Sequence, residues 1–500
     1  VYKRQELIEP REYQINIANT AIKGNTLVIL PTGTGKTIIA IIVTANRLSK
    51  YPESKVMMLA PTRPLVLQHE KTFKKLFKID SNRIVAITGK IPREERKFLY
   101  KFAKIIVATP QTIQNDLESN ILNLSDFSLV IFDEAHRCVK EYAYTYVAEK
   151  YLEQSKFPLI LALTASPGSE EERIEEIKNR LKIQFIEIRT EKDEDIRKYI
   201  KKIEYVYVYV DLPEEIKRAK ENIEKVRNEI IDGLIKNGVL SSKEVKKKEL
   251  IKLYENLLEN EENFYNKQVF SSILLKVLQL IKIEYLLELL ETQSLLAFLE
   301  YLDKLKQSKK VYEKALVNDI RIRISESIVR NFLEKEFVHP KIQKLEEIIS
   351  YLVNQNPNVK IIVFANYRST IEFIYKKLKE RFKVAKLVGQ ASKEFSEGMT
   401  QKEQEEVIKA FANGIYNVLI CSSVGEEGLD IPKTDYAIFY EPVPSEIRTI
   451  QRRGRVGRQT SGKVIILITK GTRDEAYYWA AFHKERKMRR IIYDIKKELA

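Results

Sequence analysis

Apolar residues follow two rhythms along this chain. From residue 26 to 163 they come in short unbroken runs separated by stretches of helical spacing. The runs are Thr26-Leu27-Val28-Ile29-Leu30, Lys55-Val56-Met57-Met58-Leu59-Ala60, Ile84-Val85-Ala86-Ile87, Ile105-Ile106-Val107-Ala108, Leu129-Val130-Ile131-Phe132 and Leu159-Ile160-Leu161-Ala162-Leu163. Runs without polar alternation read as strands covered on both faces, the pattern of a parallel sheet. Tyr205-Val206-Tyr207-Val208-Tyr209-Val210-Asp211 alternates aromatic and aliphatic residues and reads as one more strand covered on both faces. The rhythm changes after Pro213. Residues 214–336 contain no proline and are filled with Glu, Lys, Leu and Ile at helical spacing, with one long amphipathic stretch from Ile273 to Leu290. The strand–helix alternation returns at His339-Pro340-Lys341, with Ile361-Ile362-Val363-Phe364, Val418-Leu419-Ile420-Cys421 and Ala437-Ile438-Phe439-Tyr440. The pattern predicts an α/β protein of three parts: parallel-sheet domains over 1–213 and 337–500, with an all-helical domain over 214–336 between them.

Composition narrows the class. No apolar run approaches the roughly 20 residues of a membrane-spanning helix. Val1-Tyr2-Lys3-Arg4 has no apolar core behind it, so it does not read as a signal peptide, and the missing Met suggests a processed or trimmed start. Cys138 and Cys421 are the two cysteines, too few for a disulfide framework, and they favour a reducing compartment. With four histidines they show no zinc-ligand spacing. The net charge of +16 favours a polyanionic partner, nucleic acid before membrane surface, although an evenly charged solvated surface has the same sum. The abundance of Lys, Glu and Ile beside a single Trp suits a heat-loving source.

The candidate chemistry sits where strands stop. The first run ends at Pro31-Thr32-Gly33-Thr34-Gly35-Lys36-Thr37, followed by a helical pattern. Strand, glycine-rich turn and helix form the setting of a phosphate loop. Gly33 and Gly35 let backbone N–H groups of the turn, with Thr32 and Thr34, curl around anionic oxygens, and the helix N-terminus adds positive potential. Lys36 is placed to reach the β- and γ-phosphates and the Thr37 hydroxyl to hold Mg²⁺. The strict pattern asks for Gly where this chain has Leu30. Upstream, Arg11 and Gln14 open a helix, and the Gln14 amide offers both a donor and an acceptor to adenine; a solvated helix start carries the same residue types.

Other runs end at Pro61-Thr62-Arg63, Thr88-Gly89 and Thr109-Pro110-Gln111. Strand tips of an open parallel sheet share one edge, where ligands bind. Asp133-Glu134-Ala135-His136 follows the fifth run. An Asp there sits opposite Thr37 and completes a Mg²⁺ pair, and Glu134 can orient or deprotonate water. Thr164-Ala165-Ser166 is a further hydroxyl-bearing tip. In the last third, Ser422-Ser423 precedes Gly425, Gly428 and Asp430, and Gln451-Arg452-Arg453-Gly454-Arg455-Val456-Gly457-Arg458 gathers guanidinium donors around open backbone, as an arginine finger needs.

In this order the motifs resemble those of the superfamily 2 helicases, over nearly the whole chain. The Asp-Glu-Ala-His box together with the Gln451-to-Arg458 run is specific to that superfamily, and the helical insert and the run Ser423-Val424-Gly425-Glu426-Glu427-Gly428-Leu429-Asp430 are most similar to the archaeal Hef and eukaryotic FANCM fork-remodelling group. The resemblance implies two RecA-like motor domains that close on ATP and Mg²⁺. It implies adenine recognition by Arg11 and Gln14, ribose contact by Asp430, and Gln451, Arg455 and Arg458 facing the γ-phosphate across the cleft. It places Thr62, Arg63, Thr109, Phe364 and Ser422 on or near the strand-binding edge, with His136, Thr164 and Ser166 coupling the two sites. Leu30 falls where this superfamily is tolerant. The implied activity is that of an ATP-dependent helicase or translocase on branched or forked DNA in replication-fork repair. A double-stranded-RNA-stimulated ATPase of the sensor or Dicer type, and an ATP-switched clamp that binds branched nucleic acid without unwinding it, are the alternatives. Hef also carries a nuclease with Glu-Arg-Lys followed by Asp. Here Glu95-Arg96-Lys97 and Glu485-Arg486-Lys487 lead to Lys101 and Ile491 instead. The chain is therefore expected to be the motor part, monomeric, of a protein with a nuclease domain further on, cytoplasmic in an archaeon and nuclear in a eukaryote.

Overall fold

The computed structural model describes residues 8–31, 33–139, 142–165, 171–190, 192–199, 204–389, 398–422, 434–442 and 463–499. The strands β1 (Thr26–Ile29), β2 (Lys55–Leu59), β3 (Ile84–Ile87), β4 (Ile105–Ala108), β5 (Phe127–Asp133), β6 (Ile160–Thr164) and β7 (Phe185–Ile188) form one sheet in the order β3-β4-β2-β5-β6-β1-β7. All pairings are parallel. β5 shows why its run lacks polar alternation. Val130 and Phe132 enter the core on one side of the sheet, Leu129 and Ile131 the core on the other.

A second parallel sheet has the order β10-β11-β9-β12-β13-β8. It contains β8 (Glu204–Val210), β9 (Ile361–Phe364), β10 (Val384–Leu387), β11 (Val418–Cys421), β12 (Tyr436–Phe439) and β13 (Lys463–Thr469). Two expectations change here. The strand assigned to the first domain belongs to the second sheet, because β8 pairs with β13 along its full length. The boundary at 213 therefore moves ahead of Glu204. Nor is β8 covered on both faces: it is the sheet's edge, with Tyr205, Val206 and Tyr209 exposed. β7, β10 and β13 are strands beyond those expected.

Six α-helices occupy 214–334, and the longest, Lys267–Thr292, serves two cores. Its first half (Phe270, Ile273, Val277, Leu280) packs with Leu250 and Leu257, and its second half (Ile283 to Leu290) packs with Ile216, Phe298 and Val329. The Asn266 side chain caps it by accepting from Gln268 and Val269 N–H at 3.0 and 3.2 Å. Among the described residues no helix is long and apolar enough to cross a membrane.

The insert is fastened to the second sheet by a buried ionic and amide network. Lys341 and Asp474, both with fully buried side chains, form an ion pair, and Lys341 Nζ also donates to the Thr292 carbonyl at 3.1 Å. Arg473 reaches Glu291 at 2.7 Å and Glu284 at 2.8 Å. The Tyr440 hydroxyl donates to the Gln293 carbonyl at 2.6 Å. Thr370 donates to Gln293 Oε1 at 2.8 Å, and Gln293 Nε2 donates to Glu441. The helix Arg473–Leu499 starts in this network and ends on the first sheet's core, where Met488 and Ile492 are buried and Lys496 pairs with Asp193.

Candidate functional site

The loop after β1 is held by the helix Glu12–Ala21. Gln14 Nε2 donates to the Thr34 carbonyl at 3.1 Å and the Tyr13 hydroxyl donates to the same oxygen. Gln14 Oε1 accepts from Arg11 N–H at 2.9 Å. Gly33 (φ 82°) and Gly35 (φ 80°) both adopt left-handed backbone, and a Cβ at Gly35 would collide with the Gln14 amide. Gly35 then precedes helix Lys36–Lys50, so the open N–H groups of its first turn follow the loop directly. Lys36 Nζ donates to the Leu30 carbonyl at 3.3 Å, folding over the loop from within.

Arg11 lies over the Tyr199 ring, 4.4 Å from its centroid, and donates to the Tyr13 hydroxyl at 3.2 Å. An aromatic face and a guanidinium thus lie together beside the helix that holds the loop. Tyr199 was not anticipated from sequence; it lies far along the chain in a segment without a strand-tip signature.

Asp133 closes β5 two sheet positions from β1, with β6 between them. Burial raises its carboxyl pKa, but the His69 hydrogen bond and the charges of His69 and Lys36 outweigh burial and leave it lowered, so it is an anion. His69 Nε2 lies 2.7 Å from Asp133 Oδ2. His69 is the main residue missed. Its signal was its place on helix Arg63–Leu76, directly after a strand tip, in a chain with four histidines.

Glu134 sits in left-handed backbone (φ 54°, ψ 48°), unusual for a residue with a side chain. The strain is held by its surroundings: Tyr144 donates to the Asp133 carbonyl at 2.6 Å, and the short 3₁₀ turn Ala135–Arg137 begins at Glu134. His136 Nδ1 is 3.1 Å from Thr164 Oγ1 and 3.4 Å from Glu134 Oε2. Burial, helped by the Arg137 charge, pushes the His136 imidazole down to about 3, so it is neutral and links the β5 and β6 tips through hydrogen bonds.

Thr62, Arg63 and Thr109 fall at the C-terminal ends of β2 and β4. The Thr62 and Ser422 hydroxyl oxygens are sealed from solvent with no hydrogen-bond partner among the described residues, a state that a ligand oxygen or N–H would relieve. Thr109 instead bonds Thr112 at 2.9 Å. Phe364 closes β9 at the expected edge, but its ring is 1% exposed and stacks on Phe439 at 5.0 Å. It supports the edge from beneath, because an apolar strand end in a sheet covered on both sides turns its ring into the core. Thr32, Ser166, Asp430, Gln451, Arg455 and Arg458 lie outside the described residues. Arg96, of the Glu-Arg-Lys run, makes two bonds of 2.7 Å to buried Asp116, a structural staple. On the insert, an open and largely apolar groove of about 630 Å³ between helices Lys267–Thr292 and Val311–Asn318 is lined by Leu275, Val311, Tyr312 and Ala315 together with Lys267 and Lys276.

A glycine loop on a parallel sheet, facing a strand-end Asp-Glu pair, with a second parallel sheet in the same chain, defines a two-domain nucleotide-driven motor. Residues 11–174 match the DEAD/DEAH box helicase family and residues 340–460 the helicase conserved C-terminal domain. The chain is 44% identical to the Pyrococcus furiosus Hef helicase domain, whose crystal structure matches with a TM-score of 0.76 over 96% of this chain and 100% of that one. A putative ATP-dependent RNA helicase of Methanocaldococcus jannaschii is 43% identical over 98% of this chain and 61% of its own length. The ATP-dependent DNA helicase fml1 of Schizosaccharomyces pombe is 33% identical over 92% and 57%, and the Fanconi anemia group M protein homolog of Mus musculus 29% over 95% and 25%. This chain belongs to the DEAD/DEAH box ATP-dependent helicases, in the Hef and FANCM group, and spans about a quarter to three-fifths of these curated relatives.

Proposed function

We propose that this chain is the motor of a helicase or translocase that acts on branched or forked DNA in replication-fork repair. The observation that carries the reading is the helical insert fastened to the second sheet, which couples a second candidate nucleic-acid surface to the moving half of an ATP motor. In this reading Gln14 and Arg11 take the adenine, Lys36 and the loop N–H groups take the phosphates, and Glu134 orients and deprotonates the attacking water. Asp430 is assigned the ribose. The ionised Asp133 beside Lys36 fits a divalent cation, which Asp133 and Thr37 would hold; when bound, Mg²⁺ neutralises charge on the β- and γ-phosphates. Gln451, Arg455 and Arg458 are assigned the opposite wall of the cleft, where they would stabilise charge that builds as the phosphoryl group departs. Thr62, Arg63, Thr109 and Ser422 are assigned the backbone of the tracked strand; such contacts hold position without reading sequence. Lys267 and Lys276 on the insert are assigned phosphates of a duplex arm; the groove they border is itself largely apolar and carries no part of that reading.

The test is ATPase stimulation by forked DNA, linear duplex DNA and double-stranded RNA at one salt concentration. Forked DNA is expected to stimulate most. The Methanocaldococcus relative is named for RNA, and strongest stimulation by double-stranded RNA would move this chain to that substrate.

A further inference from the structure

One face of the helix Arg473–Leu499 takes no part in the ionic joint or in the first sheet's core. Trp479, Phe482, Arg486, Arg490, Tyr493 and Lys497 recur along it within a stripe roughly 80° wide, given 3.6 residues per turn. Trp479 is 51% exposed, Phe482 43% and Tyr493 66%. The opposite face, with Ala481, Met488 and Ile492, is buried. Between residues 484 and 497 there are seven Lys or Arg (484, 486, 487, 489, 490, 496 and 497) against two acids, Glu485 and Asp494. Glu485 is already bound to Arg489 at 2.7 Å, and Arg490 to Asp494 is a loose 3.9 Å.

The rings form a braced platform. Trp479 meets Tyr478 edge-on at 5.2 Å and Phe482 edge-on at 6.0 Å. Tyr478 meets Tyr207 of β8 edge-on at 5.2 Å, and Tyr205 and Tyr209, which share the Tyr207 side of that edge strand, are exposed. Open rings at the start of the stripe, followed by two arginines and then by Tyr493 and Lys497, are complementary to a polymer with flat bases and a regular line of negative charge. A purely apolar partner would have no use for the cations, and a paired duplex would hide its base faces from the rings.

We propose that this face binds a single-stranded polynucleotide, stacking unpaired bases on Trp479 and Phe482 and holding phosphates on Arg486 and Arg490. It lies at the β8 end of the second sheet, apart from the strand tips assigned to the motor track. The inference rests on the polynucleotide-motor reading.

Trp479 is the only tryptophan, so its emission reports this site alone. The chain is titrated with labelled oligo-dT of about 30 nucleotides and with a blunt duplex of equal length, following label anisotropy and tryptophan emission together. Oligo-dT should quench emission saturably at the anisotropy midpoint, and the duplex should quench it far less. Trp479→Ala and Phe482→Ala should each weaken oligo-dT binding about 5- to 100-fold, as loss of one base stack does, while Trp479→Tyr retains most of it. Arg486→Gln with Arg490→Gln should flatten the log–log salt slope by about 1.4. ATP hydrolysis without nucleic acid should be unchanged in all of them. If anisotropy reports binding while emission stays constant and Trp479→Ala binds as tightly as the parent, the proposal falls and the motor reading stands. Equal quenching by duplex overturns the unpaired-base assignment. If no oligonucleotide binds, both readings fall.

Discussion

Asp133 at the tip of β5 and the carboxylates where the insert meets the second sheet are buried, with Glu134 beside Asp133 partly open, yet the partners of the two regions differ in kind. Around Asp133 and Glu134 the partners are provisional: a histidine on Asp133, a strained backbone under Glu134, and Lys36 bonded to a loop carbonyl. Each contact is one that a nucleotide, a cation or a water could replace. At the junction, Lys341, Asp474, Arg473, Glu284 and Glu291 are committed to one another across three parts of the chain. Breaking one strands another away from water. The first region is arranged to exchange partners and the second to keep them, which fastens the insert to the second sheet.

The largest expected effect lies at the exchangeable end. Glu134→Gln should lower ATP turnover about 10²- to 10⁴-fold with nucleotide binding retained, the loss expected for a general base. Lys36→Ala should lose turnover through nucleotide affinity. Equal loss of affinity in both variants, measured by equilibrium nucleotide binding, would remove the distinction between their roles.

The junction should respond in stability rather than in chemistry. Lys341→Ala leaves Asp474 buried without its cation and should destabilise the fold by about 3–5 kcal/mol. The double variant Lys341→Met/Asp474→Leu should regain most of that in denaturant unfolding. A single variant as stable as the parent would mean that the joint is not committed.

A smaller effect is set by pH. Burial pushes the Glu441 carboxyl up to about 7 against the pull of Lys341. A raised folded-state value means that its contribution is fully present below the unfolded value of 4.5 and is lost as pH rises through 7. Relative to Glu441→Gln, the parent should lose on the order of 2–4 kcal/mol of stability between pH 4.5 and 8. Parallel stability profiles would show that Glu441 is solvated.

The smallest returns to β5. His69→Ala frees Asp133 of its orienting partner and should weaken Mg²⁺ dependence of the ATPase about 10-fold, at the low end for a residue that positions a ligand. An unchanged Mg²⁺ titration would leave His69 a packing residue.

The glycine loop, the acidic strand tip and the central strands were legible in sequence because each is local: a run of apolar residues and the residues that stop it. What was hidden depends on partners far away in the chain. β8 reads as a strand in isolation, but only β13, some 260 residues on, decides its sheet. His69 carries no signature until Asp133 lies against it. Phe364 was read by its position at a strand end, whereas its ring direction follows from the pleat and from Phe439. Lys341 and Asp474 would pass in sequence for two more surface charges.

The helix Arg473–Leu499 has 27 residues and is therefore about 40 Å long. One end is set in the ionic joint and the other in the first sheet's core. A hydrogen-bonded rod of this kind resists stretching but swings about its ends. One continuous helix therefore ties the two sheets together, and any change in the separation of its anchored ends requires bending the helix or releasing an anchor.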